Sequence, residues 1–373
     1  MRLDHILHLG VKELWSLARD PIMLVLIAYA FTLDVYSAAT GVPDTLHKAP
    51  IAIVDEDKSP LSDRIVSAFQ PPWFLPARMV TREEMDARMD AGLDTFALDI
   101  PPRFQEDVLA GRSPAIQLNV DATRMSQAFN GSGYVQMIVN GEVQTFLRHY
   151  RADPRPPVDL AFRVRFNPNL SRFWFMSVVR LIDEVTMLAM ILTGAALIRE
   201  RERGTVEHLL VMPVTPFEIM TSKVWSMGLV VLAACAFSLV FVVRGVLAVP
   251  IQGSIALFLC GAALHLFATT SLAIFLATYA RTMPQFALLL ILILLPLLAL
   301  AGGLTPRESM PGGVQSLMLG APTTHFVMLA QDILYRGAGI EVVWRPFLAL
   351  GLIGSVLFGT ALARFRKTLG TMA

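Results

Sequence analysis

Residues 199–218 read RERERGTVEHLLVMPVTPFE, a charged stretch set between two long apolar runs. That contrast decides the fold. Of 373 residues, 54% are hydrophobic and only 16% charged, and the mean hydropathy of +0.56 is too high for an ordinary soluble protein. The flanking runs are long enough to cross a hydrocarbon core of ~30 Å. The stretch therefore reads as a loop at a membrane surface.

Within the loop, Val206, Leu209 and Leu210 fall at i, i+3 and i+4, which gives a short helix one apolar face. Arg203, Glu207 and His208 are left for water or a partner. Thr215, Pro216 and Glu218 have the spacing of a capping box with proline at the first helical position, so the next helix starts there, ahead of its hydrophobic part.

Working outward, a span over 173–198 leads into the loop and one over 219–243 leaves it. Further spans are predicted at 21–40, 255–279, 285–301 and 346–363. Residues 302–345, rich in Gly and Pro, read as an outer loop with short re-entrant helices, which membranes tolerate only where protein or water covers them. Residues 364–373 form a basic tail.

Residues 1–20 place Leu3, Ile6, Leu7, Val11, Leu14 and Leu17 on one helical face, with Trp15 suited to the interface, so this segment is expected to lie in the plane of the membrane. Asp20 and Pro21 are an N-cap and a first-turn proline for the first span. A long amphipathic helix precedes this span instead of a short basic tail, which favours a retained anchor over a cleaved leader.

Residues 41–172 differ in character. Short strand-like runs (IAIVD, TFALDI, AIQLNV) alternate with helix-like ones (LSDRIVSAF, TREEMDARMDAG, FQEDVLAGR), the pattern of a small α/β domain. A longer helical stretch follows from Thr123 to Arg151, with a break expected around 130–133. The expected fold is thus an α-helical polytopic membrane protein with six transmembrane helices and an α/β domain inserted between helices 1 and 2.

Basic residues set the orientation. Arg2, Lys12, Arg19, Arg199, Arg201, Arg203, Arg281, Arg364, Arg366 and Lys367 fall on one side, which is the cytoplasmic one. Both termini are therefore expected inside the cell and the 41–172 domain outside, in the periplasm of a bacterial inner membrane.

Several functions are excluded or left without support. A net charge of +1 with no dense basic block argues against nucleic-acid binding. Cys235 and Cys260 lie in apolar runs and read as small packing residues. Asp55, Glu56 and Asp57 lack the ligand spacing of a calcium loop and read as a turn. His47, His149 and His325 show neither zinc nor nucleophile spacing, and His265 reads as an interior histidine with a local partner. No metal site and no catalytic residues are expected. Gly-x-x-x-x-Gly-Lys-Ser/Thr is absent, so ATP has no phosphate-cradling loop here.

The stretch ALIRERERGTVEHLLVMPVTPFEIMTSKVW resembles the first cytoplasmic loop of permease subunits of type 2 ABC exporters. The residues that carry the likeness are Glu202, Arg203, Gly204, Thr205, Glu207, Leu209, Leu210, Pro213 and Lys223. The later stretch AGGLTPRESMPGGVQSLMLGAPTTHFVMLAQDILYRGAG is similar to that family's last external loop. With the inserted domain, the resemblance spans essentially the whole chain and is nearest the YhhJ-like group of inner-membrane permeases. It implies that the 199–218 loop, with His208 among its exposed residues, is a coupling helix seated on a separate ABC ATPase. ATP and Mg would sit on that partner, with none in this chain. It also implies a second permease subunit, identical or similar, and allows a periplasmic adaptor.

Three intramembrane carboxylates need a reason, because their burial is costly. Asp34 lies in the outer half of span one, and Asp183 and Glu184 lie in span two. They either line a translocation path, or sit among the outer headgroups because span two starts later than drawn. Pro322, Thr323 and Thr324 form either an outer gate, implied by the family, or a simple capping turn. Two functions stand open: an exporter permease, and a mechanotransmission protein that moves its outer domain with nothing crossing. An ion-coupled carrier would leave the coupling loop unexplained.

Overall fold

The computed structural model describes residues 3–41, 46–150, 166, 171–202 and 214–370. The chain divides into two compact units, one of Met1–Val42 with Arg163–Ala373 and one of Pro43–Phe162. In the first, α1 (Leu3–Ala18) leads to α2 (Pro21–Tyr29), and the Asp20 carboxylate caps α2 by accepting from the Met23 amide at 3.2 Å. The helix continues through a π-helical turn, Ala30–Asp34, into α3 (Val35–Thr40).

The second unit is built on a four-stranded sheet of order β2-β1-β3-β4. Its strands are β1 (Ile51–Asp55), β2 (Arg78–Met79), β3 (Phe96–Ile100) and β4 (Gln117–Val120). The first three run parallel and β4 antiparallel at the edge. β1 and β3 are buried on both faces, which is why they read as unbroken apolar runs instead of alternating ones. The helices α4 (Pro60–Ala68), α5 (Arg82–Asp90), α6 (Phe104–Leu109) and α7 (Met125–Tyr150) cover them. Leu61, Ile65, Phe104, Val108, Val135 and Phe146 pack one face, and Met85 of α5 packs Ala52, Val54 and Ala97 on the other. The break expected near 130–133 does not occur: α7 runs through it. Gly131 lies against the Phe96 ring, where an added Cβ would stand 2.1 Å from it, so this glycine serves close packing and not a turn.

The first unit resumes with α8 (Arg172–Glu202), then α9 (Pro216–Phe237) with a π-helical extension Ser238–Val246, α10 (Ile255–Tyr279) and α11 (Met283–Ala299). Two short helices, α12 (Gly312–Met318) and α13 (Pro322–Leu334), precede the last, α14 (Ile340–Gly370). Among the described residues, five segments are long and apolar enough to cross a membrane: Pro21–Thr40, Arg172–Glu202, Pro216–Val246, Ile255–Tyr279 and Ile340–Lys367. The span expected at 285–301 is the 17-residue α11, about 25 Å long at the helical rise and short of that length. The last span starts at Ile340 and not at 346, because Pro346, which reads locally as a helix start, sits inside α14; membrane helices accommodate such prolines.

The core of this unit forms around α8, whose apolar window is 83% buried against 22% for the first and last spans. Peripheral spans need no such burial, since lipid covers them as well as protein would. Gly194 lets α8 approach the Phe286 ring of α11, which an added Cβ would meet at 1.8 Å.

Candidate functional site

The residues Arg203, Gly204, Thr205, Glu207, His208, Leu209 and Leu210 lie outside the described ones, so the site is described from the two helix ends that bracket them. α8 ends at Glu202, whose Oε1 accepts from the Met283 amide at 2.8 Å. α9 begins as its local chemistry dictates. Thr215 Oγ1 accepts from the Glu218 amide at 3.3 Å, Glu218 Oε2 accepts from the Thr215 amide at 2.8 Å, and Pro216 holds the first position. Glu218 is buried and also faces His5 Nδ1 of α1 at 3.9 Å.

A charge network, buried at Lys223 and Glu13 and open to water at Lys12, joins both ends to α1. Lys223, one turn and more into α9, places Nζ 3.0 Å from Glu13 Oε1 and 2.7 Å from Glu200 Oε2. Lys12 Nζ lies 2.9 Å from Glu200 Oε1. The four charges balance, which the burial demands, because an unpaired ammonium inside a protein costs several kcal/mol. Burial pushes the Glu13 carboxyl upward, against the pull of Lys223. Lys12 is held above its ordinary range: burial acts to lower it, but Glu200 and then Glu13 outweigh that. Trp225 Nε1 donates to the Ile6 carbonyl at 3.2 Å, and its ring fills the space left by Gly10, where a Cβ would stand 2.0 Å away. Arg199 pairs with Asp20 at 2.5 Å.

α1 divides the apolar face read from its sequence between protein and surface. It turns Ile6, Gly10, Glu13 and Leu17 inward and leaves Leu3, Leu7, Val11 and Trp15 exposed as a stripe four residues apart. Protein takes the seam that carries Glu13, and the apolar stripe is free for an interface.

Higher on α8, Arg180 forms ion pairs with Asp34 from the π-helical turn and, at 2.9 Å, with Glu184 one turn on. Glu184 is 1% exposed and Asp183 partly buried. Glu184 lies twelve residues into α8, about 18 Å from its start. Asp34 is likewise held by protein.

Pro322 is the first residue of α13, where Ala321 is the N-cap and makes no side-chain cap. Thr323 and Thr324 are buried, and their Oγ1 atoms make no hydrogen bond to the described residues, so neither hydroxyl serves as a cap. Close to them, the His265 ring stacks on Phe326 with centroids 4.2 Å apart, and its Nε2 shares a hydrogen bond of 2.8 Å with Thr186 Oγ1. In the other unit, Asp55 and Asp57 are engaged locally. Asp55 Oδ1 accepts from the Asp57 and Lys58 amides, and Asp57 Oδ2 from the Gln105 amide. Among the described residues no group of three or more His, Cys, Asp or Glu is arranged to hold a metal.

The sequence profile of the ABC-2 family transporter proteins matches residues 14–363. The chain belongs to the ABC-2 transporter family. It is 63% identical over 371 residues to the inner membrane transport permease YhhJ of Escherichia coli strain K12, covering 100% of this chain and 99% of that one. The probable multidrug ABC transporter permeases YbhR and YbhS of the same strain are 27% and 25% identical, across 95% and 94% of this chain and 96% and 93% of theirs. Members of this family are transport components and not enzymes, and this ABC-2 permease is a multi-pass membrane protein.

Two residues of this permease's charge clusters escape a reading of the sequence. Glu13 lies in a helix expected to rest in the plane of the membrane, and Arg180 is one of several basic residues of α8. Arg180 carried a usable signal: an arginine one turn before a buried glutamate on the same helix is the i, i+4 spacing of an ion pair. Glu13 carried none, since its partner Lys223 is 210 residues away.

Proposed function

We propose that this chain is the membrane subunit of an ATP-driven exporter, moving its substrate outward across the bacterial inner membrane. Residues 203–213 would sit on a separate ABC ATPase, which binds ATP and Mg. The observation that carries this reading is the linkage of Lys223, Glu13 and Glu200, which ties both ends of that loop to α1 through buried ion pairs. Force applied to a flexible loop end is dissipated, whereas force applied to helix ends locked in this way reaches the spans. The names of YbhR and YbhS as multidrug permeases favour small-molecule cargo.

The basic residues that flank the spans favour an orientation with both termini and the loop in the cytoplasm, which would leave the Pro43–Phe162 unit in the periplasm. A second permease subunit would complete the path, with Asp34, Asp183 and Glu184 along it and Pro322, Thr323 and Thr324 at its outer end. A periplasmic adaptor could meet the inserted unit. The test is to replace Gly204 or Glu207, then measure co-purification of the ATPase and transport in reconstituted vesicles. Loss of coupling with an intact fold supports the reading. Unchanged assembly and turnover would sink the loop assignment, and ATP hydrolysis without any flux in the unsubstituted complex would show mechanotransmission instead of export.

A further inference from the structure

The Pro43–Phe162 unit contains a cavity of about 700 Å³ between the β4 edge of its sheet and α7. It is a cleft partly open to solvent, and its volume falls in the range of sites that hold drug-sized ligands. We propose that it is a binding site for an uncharged, amphipathic small molecule.

The local sequence builds it. Along α7, Val135, Val139, Val143 and Leu147 recur every four residues and line the cavity with an apolar stripe. Beside it runs a second stripe of the same period, Ser132, Gln136 and Asn140, which is polar. Across the cavity, alternation along the edge strand sends Ile116 and Leu118 inward. The intervening Gln117 and the following Asn119 bond to each other at 2.9 Å, and Asn119 reaches Met85 of α5 on the opposite face of the sheet. Leu98 and Phe104 close the floor.

This lining defines the ligand. Its apolar body would lie along the valine stripe and the sheet. Its hydrogen-bonding groups would face Gln136 and Asn140, which are exposed at the rim of the cleft and whose amides offer both donors and acceptors. The single charged residue of the lining is Arg112, and its guanidinium is already paired with Asp107. A ligand that carried a charge of its own would find no unpaired counter-charge in the lining.

The experiment uses the full chain in lipid nanodiscs, with no ATPase present, and titrates the uncharged fluorescent amine N-phenyl-1-naphthylamine. The expected result is a saturable fluorescence rise above the linear partition into lipid, weakened at least tenfold by Val139→Trp, which fills the cavity. Gln136→Leu should weaken it by a smaller factor. An aryl azide form of the probe, photolysed on the wild-type chain, should label peptides within residues 98–147, a readout that does not depend on any variant folding. Saturable binding equal in wild type and in a folded Val139→Trp protein, no saturable component at all, or label confined to other peptides would overturn the proposal. Because neither ATP nor transport is involved, its failure would leave the exporter reading untouched.

Discussion

The two ends of α8 carry buried charges under different rules. Near its C-terminus, Glu200 meets Lys12 and Lys223, which also faces Glu13, so two cations answer two carboxylates. Nearer its N-terminus, Arg180 answers both Asp34 and Glu184, with Asp183 beside them. The first cluster is neutral in formal charge and the second is acidic. Balanced buried charges make a joint whose geometry is specified by its partners. An excess of carboxylate in an apolar environment is not explained by stability, because neutral side chains of similar volume would hold the helices at lower cost. On the exporter reading proposed above, the contrast would separate a part that transmits from a part that meets substrate.

The strongest way to break this contrast is at Lys223. Its replacement by Met leaves Glu13 and Glu200 buried together without their shared cation, and the expected loss of unfolding free energy is about 3–5 kcal/mol. Combining Lys223→Met with Glu13→Gln and Glu200→Gln should recover most of it, since the one charge left unpaired, on Lys12, is exposed to water. Thermal unfolding of the purified chain in detergent reads both, and a triple variant no better than the single one would show that the network is not balanced in the way described.

A smaller effect is expected where the cap alone is removed. Thr215→Ala takes away the acceptor for the Glu218 amide and should cost about 1 kcal/mol, visible as a modest fall in the same unfolding midpoint. It should also loosen the start of α9 without separating α1 from it, because Trp225 and Lys223 still hold that seam. Protection of the α9 amides against hydrogen exchange distinguishes these two outcomes.

The smallest effect on stability belongs to the acidic cluster. Asp183→Asn removes a carboxylate that forms no ion pair with Arg180 closer than its neighbours do, so unfolding should shift by less than about 0.5 kcal/mol. Transport of a cationic substrate should nevertheless fall, by about tenfold if one charge contact of ~1.4 kcal/mol is lost. A large stability change with normal flux would reverse the roles assigned to the two ends of α8.

How much of this was legible beforehand follows from the distance over which each feature is decided. The cap of α9 at Thr215, Pro216 and Glu218, the start of α2 at Asp20 and Pro21, and the strands around Ile53 and Leu98 depend on residues within a few positions of one another. Sequence reasoning placed them because hydrogen bonds from i to i+3 and apolar periodicity are local. Where a local signal served a distant purpose, the reading failed. The glycines near 130–133 suggested a break, yet Gly131 packs on Phe96, and Pro346 suggested a start, yet α14 runs through it.

By itself, then, the sequence determined that this is a multi-pass membrane protein of the ABC-2 family, with a charged loop between two apolar helices and a separate unit carrying strands. Only the tertiary structure decided which charges are partners. Glu13 meets Lys223 across 210 positions, and Asp34 meets Arg180 across 146. The reason is energetic: a buried charge must find a counter-charge wherever packing brings one, and packing is settled by the whole set of helices, not by the neighbours of any one residue.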